Sequence, residues 1–227
     1  MFIAFKEIFT LENLLYLLKG TGYSVGIAIL SLFFGLILGI LGSCGKRSKN
    51  IILKGLANIY VEVIRGTPML LQILIIFSVI PSIYTAFSGK IMRMNPYLIG
   101  VVAMSINSGA YQTELIRSGI NAVDKGQTEA CETLGLSKFQ TMKFVILPQA
   151  FKHIIPPMIS ELITLTKDTS LISTIGAVEL LKGAQILGTN YYDVMSPYCI
   201  AAVYYLIITI VISLIGKKIE MGLVLSD

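Results

Sequence analysis

Five long apolar runs constrain this chain more than any other feature of its sequence. Each is about 20 residues long, which as a helix matches the hydrocarbon thickness of a bilayer. Hydrophobic residues make up 55% of the chain and charged residues only 14%, a composition that is unusual for a soluble domain. Helices satisfy their own backbone hydrogen bonds in lipid. The sequence therefore predicts an all-α membrane protein with five transmembrane helices, at residues 22–43, 56–81, 96–120, 154–177 and 197–215.

Basic residues are distributed unevenly between the loops that join these runs. One side holds Lys46, Arg47, Lys49, Lys54, Lys125, Lys138, Lys143, Lys152, Lys217 and Lys218, and the other holds Lys6, Lys19, Lys90, Arg93 and Lys182. The positive-inside rule makes the richer side cytoplasmic. It places the N-terminus outside, and the C-terminus and the loop 121–153 inside. The net charge of +5 is thereby explained by topology and does not indicate nucleic-acid binding.

The first nineteen residues differ in composition from the rest. Charged Lys6, Glu7, Glu12 and Lys19 alternate with Phe and Leu, which does not fit a removable signal peptide. The pattern favours an amphipathic helix at the membrane interface. We expect two parts: an N-terminal segment 1–19 and one transmembrane domain, 20–227.

The long loop 121–153 has the signals of a helix–turn–helix. A short helix is predicted at 126–134, closed by Gly135 in the left-handed conformation. Ser137 can cap a second helix that continues to Leu147. Pro148 follows where that helix is expected to stop or bend.

A spaced motif lies within the same loop. It reads Glu129-Ala130-Cys131, three residues, Gly135, nine residues, Val145, one residue, then Leu147-Pro148. This is similar to the EAA loop of ATP-driven (ABC) importer permeases, with Cys131 in place of the second Ala and Val145 in place of Ile. In that family the loop docks on the ATPase. The resemblance therefore implies an ATPase-coupling surface at Glu129, Ala130, Gly135, Leu136 and Lys138.

Polar side chains form stripes on two of the predicted spans. Asn107, Tyr111, Glu114 and Ser118 share one helical face, and so do Glu161, Thr164 and Asp168. A charge at the bilayer centre costs about 2.5–3.5 kcal/mol on insertion scales, so such residues should face protein or water. We expect an aqueous pocket between the two spans. The alternative is structural ion pairing, for example of Glu114 with Arg117.

Breaks and small residues modify the spans further. Pro156-Pro157 opens the fourth run, and the segment 65–68 interrupts the second. Such interruptions can line cavities or act as hinges. Helix kinks without a function are equally common. Gly22, Gly26, Gly35 and Gly39 form two pairs four residues apart. They favour close helix packing, either between subunits or within one, although glycine is frequent in membrane helices.

Similarity to a known family extends over nearly the whole chain, from about Gly20 to the end. Besides the loop, three segments match. They are residues 61–62 with 65–68, residues 107–111 with Glu114 and 117–120, and residues 167–171. They resemble the polar amino-acid permease branch of ABC importers, which includes histidine, arginine and glutamine permeases. The resemblance implies a type I ABC importer permease fold and alternating access in a bacterial cytoplasmic (inner) membrane.

The same resemblance implies partners and a substrate site. We expect a homodimer or a heterodimer with a similar permease, two ATP-binding subunits that hold ATP and Mg, and an extracytoplasmic solute-binding protein. The chain itself would be no enzyme and would need no cofactor or metal. Candidate substrate-binding residues are Thr67, Asn107, Ser108, Tyr111, Glu114, Glu161, Thr164, Asp168 and Thr169.

Other classes of function fit the residues less well. Three scattered cysteines and the single His153 give no metal-ligand spacing and no nucleophilic triad. The sequence contains no phosphate-binding glycine loop. Carboxylates within the spans would suit an ion-coupled carrier or a channel. Five spans with an EAA-type loop fit neither of these classes.

Charge within the predicted pocket bears on the substrate. Glu114, Glu161 and Asp168 against Lys167 leave a negative excess, which favours a basic amino acid such as arginine, lysine or histidine. The same carboxylates could instead hold only the α-ammonium group. Glutamine, cystine or another uncharged polar amino acid therefore remains the alternative.

Overall fold

The computed structural model describes residues 7–224, a part of the chain that contains helices and no strands. The α-helices are α1 (Leu11–Lys46), α2 (Ile51–Arg65), α3 (Met69–Ser88), α4 (Pro96–Asn121), α5 (Lys125–Thr133), α6 (Lys138–Thr141), α7 (Leu147–Asp168), α8 (Leu180–Asn190) and α9 (Met195–Val224). A π-helical turn, Met142–Ile146, joins α6 to α7, and a 3₁₀ helix, Thr169–Ile175, follows α7.

Helix α1 begins at Leu11 and continues without a break through the expected boundary at residue 19. Thr10 caps its N-terminus by accepting a hydrogen bond from the Asn13 backbone N–H at 3.3 Å. Leu17 and Gly20 are buried in contact with the chain around α8, so this stretch packs against protein. Residues 1–6 of the predicted amphipathic segment lie outside the described residues.

Close packing of α1 on α4 forms the most extensive helix pair of the described chain. A Cβ added at Gly35 would lie 2.9 Å from the Ser108 Cβ, and one added at Gly39 would lie 2.7 Å from the Gln112 Cβ. Cβ atoms added at Gly22 and Gly26 would meet nothing within 4 Å. The second glycine pair thus serves packing within the subunit, while the first pair is open.

Three helices of the described chain are individually long and apolar enough to cross a membrane: α1, α3 and α9, the last over Met195–Leu223. A fourth candidate is the pair Lys138–Ile175 and Leu180–Asn190, which meet at a bend of 50°. Helix α4 has 26 residues, or about 39 Å, but it is too polar to pass as a lipid-facing span. It lies against α1, α2, α3 and α7, so protein rather than lipid contacts its polar face.

The bend before α8 is held by one fully buried carboxylate. Gly176 closes the 3₁₀ helix with φ +90°, and Glu179 then caps α8 by accepting hydrogen bonds from the backbone N–H groups of Leu181 and Lys182. Glu179 also accepts hydrogen bonds from the hydroxyls of Ser24 at 3.3 Å and Tyr205 at 2.9 Å. This carboxylate therefore connects α1, α8 and α9.

Candidate functional site

A polar cavity of about 580 Å³ lies where the chain between α2 and α3 faces α4 and α7. Both predicted polar stripes reach it, although not with all their members. The site residues proposed from the sequence that line it are Thr67, Asn107, Tyr111, Glu161, Thr164 and Asp168, and they are joined by Arg65, Gly66, Pro68 and Met69.

The Gln72 side chain stabilises the break between α2 and α3 at residues 66–68. Its side-chain amide donates to the carbonyl oxygens of Ile64 at 2.8 Å and Thr67 at 3.1 Å, and to the Thr67 hydroxyl at 2.8 Å. The Ile64 carbonyl lacks its helical partner because Pro68, four residues further on, has no N–H to donate, and the Thr67 carbonyl precedes the start of α3. The Gln72 side-chain oxygen accepts a hydrogen bond from Asn107 at 3.0 Å. The break is thereby fastened to α4, with its polar groups on the cavity side.

Charges of both signs line the cavity without pairing with each other. Glu161 and Asp168 lie two turns apart on α7, and no cationic nitrogen of residues 7–224 comes within ion-pair distance of either. The Arg65 guanidinium lies over the Tyr111 ring, 5.2 Å from its centroid. One guanidinium and two carboxylates give the cavity a formal net charge of −1. Such a cavity can bind an anionic and a cationic group at the same time.

Three residues that the sequence placed in the pocket do not line the cavity. Glu114 forms ion pairs with Lys46 and with Arg117, the latter at 2.7 Å, which is the alternative considered for it. Ser108 is fully buried under α1, accepts a hydrogen bond from Gln112 and has its hydroxyl beside the Glu161 carboxylate. Thr169 is fully buried and donates to the Thr166 carbonyl oxygen at 2.7 Å.

Two polar residues were not selected from the sequence: Arg65, which lines the cavity, and Gln72, which hydrogen-bonds the lining residues Thr67 and Asn107. Arg65 was noted only as part of a helix break, and Gln72 lies within an apolar run and was not considered. A signal for each was present. Arg65 directly precedes the Gly-Thr-Pro interruption, and Gln72 is the one amide in the first turns of α3, where freed carbonyls need donors.

The loop between α4 and α7 has the predicted helix–turn–helix. Asp124 caps α5 by accepting a hydrogen bond from the Gly126 N–H at 2.7 Å. Gly135 has φ +76°; its N–H donates to the Glu132 carbonyl, and the Leu136 N–H donates to the Cys131 carbonyl, both at 3.0 Å. This pair of bonds is a Schellman motif. It closes α5 and sets the direction in which the chain leaves it.

The second helix of the loop is continuous with α7. Ser137 and Gln140 form a reciprocal capping box at its start. At Pro148, where we expected the helix to stop or bend, it passes through the π-helical turn and continues as α7. Proline lacks an N–H and its ring crowds the preceding turn, and a wider π turn accommodates both effects. One helical rod therefore extends from the loop to the cavity.

Exposed side chains cover the outer surface of this loop. Glu129, Ala130, Gly135 and Lys138 are exposed and Leu136 is half-buried. Large apolar residues accompany them: Leu134 is 78% exposed and Phe139 73% exposed. A polar loop that presents apolar side chains of this size has the character of a protein-docking surface.

We call residues 122–146, between α4 and α7, the docking loop. Membrane-crossing helices around a charged cavity, one of them continuous with such a loop, are the architecture expected of a membrane permease. The chain belongs to the family of binding-protein-dependent transport system inner membrane components, whose profile matches residues 22–223.

Comparison with known proteins agrees with this membership over more than nine-tenths of the chain. It is 38% identical over 214 residues to the putative glutamine transport system permease protein GlnP of Rickettsia typhi, covering 94% of this chain and 95% of that one. It is 37% identical over 218 residues to the arginine transport system permease protein ArtQ of Bacillus subtilis, covering 96% and 97%. A solved amino acid ABC transporter, described as crystallised with histidines, superposes with a TM-score of 0.84 at 34% identity, covering 91% and 94%.

Proposed function

We propose that this protein is the membrane-spanning subunit of an ATP-driven importer of polar amino acids, and that the cavity between the α2–α3 break, α4 and α7 is its substrate site. The observation that supports this most directly is the pair of carboxylates, Glu161 and Asp168, that face a cavity without a cationic partner among residues 7–224. Unpaired charge among membrane-crossing helices is costly, and a charged substrate would compensate it.

Charge complementarity favours a basic amino acid. Arg65 suits the substrate carboxylate, because a guanidinium binds carboxylates with two parallel hydrogen bonds. Glu161 and Asp168 then suit the two cationic groups of arginine, lysine or protonated histidine, whose net charge of +1 balances the cavity. Thr67, Asn107, Tyr111 and Thr164 offer polar contacts at its walls. Glu114, Ser108 and Thr169 are left out of this site because they have partners within the protein.

An uncharged polar amino acid is the second candidate. Glutamine or cystine would use Arg65 and one carboxylate, leaving the other to bind a second ammonium or water. The names of the relatives support both classes, since one is a glutamine permease and another an arginine permease.

Transport in this proposal requires other subunits. Two permease chains, identical or closely similar, enclose the pathway by five spans each, with the N-terminus outside and the C-terminus in the cytoplasm of a bacterium. Two ATPase subunits bind ATP and Mg and dock on the loop at Glu129, Ala130, Gly135, Leu136 and Lys138. A solute-binding protein delivers the amino acid from outside. The chain itself catalyses no covalent step.

Helix α7 gives a physical route for coupling. It is continuous with the docking loop at one end and carries Glu161, Thr164 and Asp168 at the other. A rigid-body movement of the docked loop would therefore displace these side chains. ATP binding would bias a two-state helix packing in this way.

Uptake by the complete transporter in vesicles tests the proposal. The complex, with its ATPase and binding protein, would be reconstituted and supplied with radiolabelled arginine, lysine, histidine, glutamine and cystine. We expect ATP-dependent uptake that is strongest for a basic amino acid. Uptake restricted to glutamine or cystine would favour the second candidate. Accumulation driven by an ion gradient without ATP would contradict the proposed mechanism.

A further inference from the structure

A second cavity, of about 680 Å³, lies between the end of α1 and the docking loop. Its lining combines the cations Arg47, Lys125 and Lys138 and a single carboxylate, Glu132, with apolar side chains such as Val123 and Ile146. We name this cavity the basic groove.

The charges of the basic groove are not compensated within the described chain. Arg47, Lys125 and Lys138 are all exposed, and none forms an ion pair with a carboxylate of residues 7–224. Three cations against one carboxylate give an excess of two positive charges, or of one if Lys138 contacts the ATPase as proposed above. An anion of phosphate type complements these cations, and an adjoining aliphatic group complements the apolar side chains.

The position of the groove relative to the membrane indicates the source of such an anion. Arg47 lies four residues beyond Ser43, the last residue of the apolar run 22–43, or about 6 Å along a helix. The headgroup layer on each side of the hydrocarbon core is roughly 5–8 Å thick. The groove therefore opens at headgroup depth, given the membrane placement that the proposed function assumes.

We propose that the basic groove binds the phosphate headgroup of an anionic phospholipid from the cytoplasmic leaflet. Arg47 and Lys125 contact the phosphate, and the apolar side chains of the lining contact the glycerol and the first methylene groups of the acyl chains. Basic pockets between helix ends on the cytoplasmic side of a membrane have the chemistry for this kind of binding. A soluble phosphate would leave those apolar side chains without a contact.

Such a lipid would bridge two parts of the subunit. Arg47 directly follows α1, whereas Lys125 begins α5 of the docking loop. A shared phosphate would hold the loop against the membrane-crossing helices. Lipid charge would then affect how firmly the loop is positioned for the ATPase.

Lipid titration of the whole transporter tests this inference independently of its substrate. The complex would be placed in nanodiscs of phosphatidylcholine with increasing phosphatidylglycerol, and the retained phosphatidylglycerol and the ATP hydrolysis rate would be measured. Arg47→Gln and Lys125→Gln should each weaken phosphatidylglycerol binding roughly fivefold. The same variants should also show a smaller increase in the ATP hydrolysis rate as the phosphatidylglycerol content rises. The matched control, Lys217→Gln with Lys218→Gln on α9, should change binding less than twofold.

Three results would overturn the inference. The first is equal loss of lipid binding in the α9 control, which indicates general surface attraction. The second is an equal response to soluble glycerol phosphate in pure phosphatidylcholine, which indicates a free-anion site. The third is dissociation of the ATPase from the Arg47 and Lys125 variants at every lipid composition, which indicates a protein interface. Failure of the uptake experiment would leave the lipid measurements unaffected, because they require no transported substrate.

Discussion

At the scale of single residues, the partners of a carboxylate determine what it can do inside a membrane protein. Glu114 is neutralised by Lys46 and Arg117 and is therefore already compensated. Asp168 has no such cation within residues 7–224 and faces the cavity. From the sequence both residues lie on polar stripes, and Lys46, distant along the chain, gives no local sign that it reaches Glu114. The sequence predicts which carboxylates share a helical face. It does not predict which of them form ion pairs with a cation.

Substitution of the two carboxylates should separate binding from stability. Asp168→Asn removes a charge-assisted contact of about 1.5–3 kcal/mol, so we expect the affinity for a basic amino acid to fall ten- to hundredfold. Glu114→Gln leaves Lys46 without its counter-charge and should chiefly lower the Tm. Concentration-dependent uptake in vesicles and thermal unfolding in detergent measure the two effects. The assignment is wrong if Glu114→Gln weakens binding at an unchanged Tm while Asp168→Asn does not.

At the scale of elements, the docking loop was predicted well because its signals are local. Gly135, Ser137 and the capping pattern act within a few residues of themselves, and the structure has each in its predicted conformation. The continuity of α1 past residue 19 and of α7 past Pro148 was not predicted. Both depend on packing: buried contacts near α8 support the start of α1, and a π turn absorbs the proline.

Gly135→Val should uncouple ATP hydrolysis from transport by disrupting the docking loop. At φ +76° the left-handed conformation costs an L-residue about 1–2 kcal/mol, and it costs a β-branched residue more. We expect substrate-stimulated ATP hydrolysis and uptake to decrease together while membrane insertion persists. Gly55→Val is the matched control, because Gly55 lies in α2 without a positive φ and with open space at its Cβ position. Normal coupled transport by Gly135→Val would show that this turn does not position the coupling element.

Substitution of the α1 glycines tests the helix packing. Gly39→Ala forces a methyl group to within 2.7 Å of the Gln112 side chain, and overpacking of this kind typically costs about 1–3 kcal/mol. Gly26→Ala meets nothing within 4 Å in the subunit and should be nearly neutral. Thermal unfolding of both variants in detergent gives the comparison. A destabilised Gly26→Ala with an unaffected Gly39→Ala would contradict this packing and would indicate that a second chain covers Gly26.

At the scale of the whole molecule, hydropathy alone does not account for the membrane topology. The apolar runs of α1, α3 and α9 are recognisable individually. Helix α4 is polar because protein surrounds it, and the second predicted run is divided by the break at 66–68 into α2 and α3. The number of spans therefore depends on how buried, polar helices are arranged, which a sequence window does not contain.

Cysteine labelling tests the proposed orientation. In a background without Cys44, Cys131 and Cys199, single cysteines at Ser48 and Ser137 should be protected from an impermeant thiol reagent added to intact cells. Cysteines at Ser88 and Thr189, both exposed, should react. Permeabilised cells give the control, since all four should then be labelled. The reverse pattern in intact cells would place the docking loop outside and exclude an encounter with a cytoplasmic ATPase.

The π-helical turn at Met142–Ile146 has a further consequence for how this chain tolerates changes of length. A π turn contains one residue more than an α turn, so deleting one residue there converts it to ordinary helix and leaves the phase of both flanking segments unchanged. The same deletion two turns later would rotate the preceding loop by about 100° relative to Glu161 and Asp168. A deletion within 142–146 also restores the crowding at Pro148 that the π turn relieves, so among the single-residue deletions between the docking loop and the cavity it should preserve most transport while lowering the Tm.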